Sequence, residues 1–101
     1  MSREEITNEF IDEKTKEIAS KITIRSYENG NSKDTTREST EPEREIIHRF
    51  IYAMFLAYRW NVNSSVDSIC DMAEFALHQF IPEANTYDTI YIPFKTAIGV
   101  W

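Results

Sequence analysis

Cysteine occurs once in this 101-residue chain, at Cys70, so neither an internal disulfide nor a cysteine-built zinc site can form. Glycine occurs twice, at Gly30 and Gly99, which excludes a glycine-rich loop that would cradle a phosphate. There is no run of 18 apolar residues, hence no membrane span. Basic residues are outnumbered 17 to 11 by acidic ones, for a net charge of −6. A general nucleic-acid binder needs the reverse balance to displace counterions from phosphates, so direct nucleic-acid binding is not expected. Neither His-Glu-x-x-His nor a nucleophile elbow is present. The chain reads as a non-enzyme without cofactor or metal. Its Met-Ser-Arg-Glu-Glu start is charged rather than apolar, so a cytoplasmic setting is expected.

What is present is apolar and aromatic material, 42% and 13% of residues, sufficient for one small domain over residues 1–101. The patterning predicts an α+β fold of three helices, a β-hairpin at about residues 21–39 and a C-terminal strand region. The first helix is expected from Arg3 to about Ile22, opened by a capping box of Ser2 and Glu5. Ile11, Thr15, Ile18 and Ile22 form its narrow apolar stripe, while Glu4, Glu5, Glu9 and Glu13 lie among its charged residues. Ile22-Thr23-Ile24-Arg25 alternates like a half-buried strand, and Asn29-Gly30 is a hairpin-turn signal. Residues 28–43 contain no large apolar side chain and read as a polar hairpin tip or a mobile loop.

Two long apolar helices follow, at about Glu43–Trp60 and Ser65–Ile81, the second stopped by Pro82. On the second helix Phe55 and Leu56 project into the face that carries Arg44, Glu45, His48, Arg49, Tyr52 and Arg59. The third helix is apolar except for a strip of Asp67, Asp71, Glu74 and His78. That strip could bind a divalent cation only if its members converged, and one helix face presents them in a line, so a solvated strip is the expected reading. Cys70, on the apolar side between acidic neighbours, reads as a core residue rather than a nucleophile. Thr86 to Trp101 is rich in β-branched and aromatic residues, which predicts one or two strands broken at Pro93.

The helices carry more apolar surface than a chain of this length is expected to hide. Tyr52, Phe55, Leu56, Met72, Phe75 and Trp101 are the candidate interface residues. They point to a small acidic protein-interaction module that associates with itself and with another protein, as an inhibitor or adaptor. Its carboxylates could mimic a nucleic acid toward a basic partner. The charge is uneven: residues 1–43 carry −4, residues 44–60 carry +2 and residues 61–101 carry −4. The basic middle segment therefore supports a second reading, a small-molecule or nucleotide site built from Arg44, His48, Arg49 and Arg59. A DNA-binding regulator ranks last, because the polar strip of the third helix is acidic.

Overall fold

A computed structural model describes residues 2–60 and 63–100, and it is an α+β arrangement of four helices and one antiparallel hairpin. A 3₁₀ turn at Arg3–Glu5 leads into helix α1 (Asn8–Ala19), strands β1 (Lys21–Glu28) and β2 (Asn31–Glu38), and helices α2 (Glu41–Trp60) and α3 (Val66–Phe80). A π-helical turn at Tyr87–Tyr91 then runs directly into helix α4 (Ile92–Ile98).

The expected first helix is divided. The Glu5 carboxylate accepts from the backbone N–H and hydroxyl of Ser2, closing one turn. Thr7 then starts α1 afresh by accepting from the Phe10 N–H at 3.1 Å. Ile22 belongs to β1 rather than to this helix. Its place is set by Ser39, whose hydroxyl donates to the Ala19 carbonyl and whose N–H donates to the Ser20 carbonyl.

Residues 28–38 form strand and turn rather than a loop. Asn29 and Gly30 take φ of 51° and 81°, the left-handed pair that a tight hairpin turn needs. The register follows, with Glu28 opposite Asn31 and Arg25 opposite Asp34. Every residue of β2 is exposed, so the strand persists through its pairing with β1 rather than through burial.

Helix α2 begins two residues earlier than its apolar pattern suggests, because Thr40 and Glu43 form a reciprocal capping box. Glu43 is also gripped by the Arg37 guanidinium through bonds of 2.8 and 2.9 Å. That pair, with Thr40, holds its carboxyl down from 4.5 to about 2. A depressed folded-state pKa stabilises fully above the unfolded value, and the benefit fades as pH falls from about 4.5 through about 2. Arg37 is 44% exposed, so solvent screening reduces the contribution to about 1 kcal/mol. In urea titrations stepped from neutral pH to pH ~3, Glu43→Gln should lose stability less steeply than the parent chain. Parallel curves would remove this pair from the acid response.

The C-terminal region is helical, which corrects the expectation of strands. Asn85 caps it: its side-chain oxygen accepts from the Asp88 N–H at 3.1 Å and its carbonyl accepts from the Thr89 N–H at 2.9 Å. Pro93 cannot donate to the helical ladder, and the wider π turn just before it accommodates the missing bond. Gly99 ends α4 at φ 69°. Among the described residues Ala84 alone makes a strand-like bridge, to Ile24 on the outer edge of β1.

The core lies where α1, β1, α2, α3 and α4 meet, around Ile11, Ile22, Ile51, Phe55, Leu77, Ile90 and Phe94. Phe55 is fully buried between Phe10 and Phe94, with ring centroids 5.8 and 5.0 Å away. Sequence patterning assigns Phe55 to an exposed interface, and the structure corrects this: α1 and α4 cover that side of α2. Among the described residues no helix is long and apolar enough to cross a membrane.

Candidate functional site

Helices α2 and α3 run antiparallel, with Ala57 near Ser64 and Ser68 at one end and Phe50 near Phe80 at the other. Their inward sides feed the core, through Ile47, Ile51, Met54 and Tyr58 on α2 and Cys70 and Leu77 on α3. Among the described residues no element packs on the opposite side of the pair. Between the helices lies a shallow apolar hollow of about 310 Å³ floored by Ala53, Ala57, Ala73 and Ala76. A second hollow of about 240 Å³, between Ile46 and Phe80, continues it through the shared residues Phe50 and Ala53.

Around this strip stand large side chains in water. Met72 is 75% exposed, Trp60 73%, Phe75 72% and Phe80 66%. At 100° per residue Ile46, Ala53 and Trp60 fall within about 20° of one line along α2. Met72 and Phe75 sit one turn apart on α3. Scattered apolar residues are normal on a protein surface, but a continuous patch of aromatic and Met side chains around a groove is not.

Of the residues expected at an interface, Met72 and Phe75 lie on this face. Tyr52 is 38% exposed but sits to one side, stacked on His48 with ring centroids 6.2 Å apart. Leu56 is half-buried against the core. Trp101 lies outside the described residues. Trp60, Phe80 and Phe50, none of them among the expected interface residues, complete the face. For Trp60 the signal is the heptad spacing of Ile46, Ala53 and Trp60, which sets one line of α2 apart from its core side.

The arginine set does not assemble. Arg44 donates to the Ser39 carbonyl, Arg49 pairs with Glu45 at 3.3 Å, and Arg59 turns toward Asn8, 2.8 Å away. Arg44, His48 and Arg49 do share an open depression, but Glu41 and Glu45 line it too. Over its full observed length α2 carries three arginines and three glutamates. The acidic strip of α3 is likewise dispersed. Asp67 accepts from Lys95 and from the Tyr91 hydroxyl. Glu74 accepts from Thr86, and burial raises its pKa. Among the described residues no group of three or more His, Cys, Asp or Glu side chains is placed to hold a metal ion. Burial pushes the Cys70 thiol up to about 12, so it is not a thiolate at neutral pH.

A concavity of about 770 Å³ opens between the hairpin and residues 82–88. Three of its polar residues, Arg25, Asn85 and Asp88, are committed to one network with Asp34. Arg25 grips Asp34 through two bonds, and the Asn85 amide donates to both Asp34 and Asp88. This network braces the hairpin against the body of the protein. Compared with known proteins, the chain matches no family model, no curated protein and no solved structure, so the exposed α2–α3 face is the strongest pointer to function.

Proposed function

We propose that this chain is a small acidic protein-interaction module, an inhibitor or adaptor, that binds protein through the α2–α3 face. One observation carries the reading: Met72 and Phe80 stand in water at an apolar groove, with Phe75 and Trp60 exposed on the same outward sides of α3 and α2, while the core beneath is filled by other residues. These are the residue types that dominate binding energy at interface centres. In a free monomer, among the ring contacts of the described residues, Phe80 packs only on Phe50 and Trp60 only under the Arg59 guanidinium. Leaving the rest of this surface hydrated is unfavourable by about 25 cal/mol per Å² of apolar surface relative to a covered state. The reading of the arginine face as an anion site is weaker, because its guanidinium groups already have carbonyl, amide or carboxylate partners.

Affinity capture from extract of the source cells, comparing the parent chain with a Met72→Glu/Phe75→Glu chain of equal melting temperature, tests the proposal. A protein held by the first and released by the second supports it. Identical retention by both chains would remove this face from recognition. Loss caused instead by Lys at Glu4, Glu5, Glu9 and Glu13 would move binding to the acidic N-terminal surface.

A further inference from the structure

We infer that the α2–α3 face is occupied by a second copy of this chain, related by a two-fold axis that runs along the helices and sets α2 of each copy on α3 of the other. The inference rests on the reading of this face as a protein-binding surface and names its occupant.

The first reason is shape. A two-fold interface is self-complementary, so one face must supply both knobs and holes. This face does: Met72 and Phe75 stand up from the middle of α3 beside the small Ala73 and Ala76, and on α2 Trp60 stands up beyond the small Ala53 and Ala57. Ala53 and Met72 both border the hollow, and each sits near the middle of the stretch over which α2 and α3 run side by side, so they lie at similar heights along the pair. A two-fold axis along the helices preserves height and puts Met72 of the second copy over Ala53. An axis across the helices would set each helix on its own copy, bulk against bulk and alanine against alanine, which packs poorly.

Charge leaves the face free for such a contact. Arg59 turns away to Asn8, Asp67 to Lys95 and Glu74 to Thr86. Covering the apolar strip therefore leaves these charged groups with the partners they already have.

Area is the third consideration. Met72, Phe75, Phe80 and Trp60 together expose nearly three whole side chains. At roughly 200 Å² each, that is on the order of 600 Å² per copy, against about 800 Å² for a standard interface. Phe50 and the alanine floor lie between them to supply the remainder.

The other exposed candidate for self-association, the outer edge of β2, is blocked by its charges. The β1–β2 register turns the backbone groups of Ser32, Asp34, Thr36 and Glu38 outward. Antiparallel self-pairing that keeps those groups facing each other, over five or more residues, sets Lys33 on Lys33, Asp34 on Asp34, Lys33 on Arg37, or Asp34 on Glu38. Like charges directly opposite are destabilising, a common protection of sheet edges. Helix α1 packs on the other side of α2, through Phe10 against Phe55, so its acidic surface stays outside the dimer and is duplicated.

Light scattering behind a sizing column, from about 1 to 500 μM, gives the first test. The expected mass is twice 11.9 kDa, with Met72→Glu and Phe75→Glu each raising the dimer dissociation constant at least about thirtyfold. The second test mixes differently tagged Ala53→Cys and Met72→Cys chains under mild oxidation. Cross-linking between unlike chains supports the arrangement. Cross-linking of Met72→Cys chains with one another in its place overturns it. A parent chain monomeric throughout, with capture of another protein still abolished by Met72→Glu/Phe75→Glu, overturns the second copy but leaves the proposed function standing. A dimer indifferent to both glutamate variants overturns the dimer at this face.

Discussion

Replacing Phe55 with alanine is expected to lower the unfolding free energy by about 3–5 kcal/mol, the range for emptying a fully buried aromatic site. Phe55 has no exposed surface, and its ring lies between an edge-on Phe10 and a tilted Phe94. Removing it opens a cavity where α1, α2 and α4 meet and strips two aromatic contacts along with the transfer energy of the ring. Collapse into the gap is hindered, because Phe10 and Phe94 are held by different helices. Denaturant unfolding of Phe55→Ala beside Phe75→Ala, at a dilution where the chain is monomeric, checks this. The second residue is 72% exposed and should change stability by no more than about 0.5 kcal/mol. Equal losses at the two sites would contradict the division of these phenylalanines between core and face.

Asn85→Ala is the second large effect, expected to cost about 2–3 kcal/mol by combining a lost cap with two carboxylates deprived of a shared donor. Asn85 is buried, and it joins three parts of the molecule. Its amide nitrogen reaches Asp34 at 3.0 Å and Asp88 at 2.9 Å, its side-chain oxygen caps the C-terminal helical segment, and its backbone N–H donates to the Thr23 carbonyl at 2.8 Å. Alanine keeps only the backbone contacts. Asp34 retains Arg25, but Asp88 stays beside it without the amide between them. The hairpin should therefore loosen before the helices do. Amide hydrogen exchange should quicken over residues 31–38 more than over α3, whose contacts do not involve Asn85. A uniform change across the chain, or a loss below about 0.5 kcal/mol, would mean that the network does not brace the hairpin.

The hairpin and the four-helix count show where sequence patterning carries and where it stops. Asn29-Gly30 identifies its turn because few residues accept positive φ, a purely local property. The apolar period likewise places the start of α2 within two residues. The last helix was missed although Ile90, Phe94 and Ile98 recur every four residues, all fully buried. Tyr, Ile, Thr and Val are common in strands, and that propensity obscured both the spacing and the Asn85 cap. Strand propensity has force only where an edge is available to pair. Here the outer edge of β1 meets only the short stretch around Ala84.

The candidate face divides along the same line. That α2 and α3 hold surplus apolar surface follows from composition and period, and Met72 and Phe75 were identified from them. Which aromatic residues are surplus does not follow. Phe55 and Phe75 are chemically identical, and one is sealed while the other stands in water, because α1 and α4 pack on only one side of the α2–α3 pair. Residue type and short-range spacing suffice for the acidic balance, the hairpin turn and the two long apolar helices. Tertiary contacts select among locally allowed outcomes: helix rather than strand over residues 86–98, separate partners for Arg44, Arg49 and Arg59, and an outward side for Trp60 and Phe80 beside Met72 and Phe75. The spacings of Ile90, Phe94 and Ile98 and of Ile46, Ala53 and Trp60 are compatible with these outcomes, but the distant segments that come into contact select them.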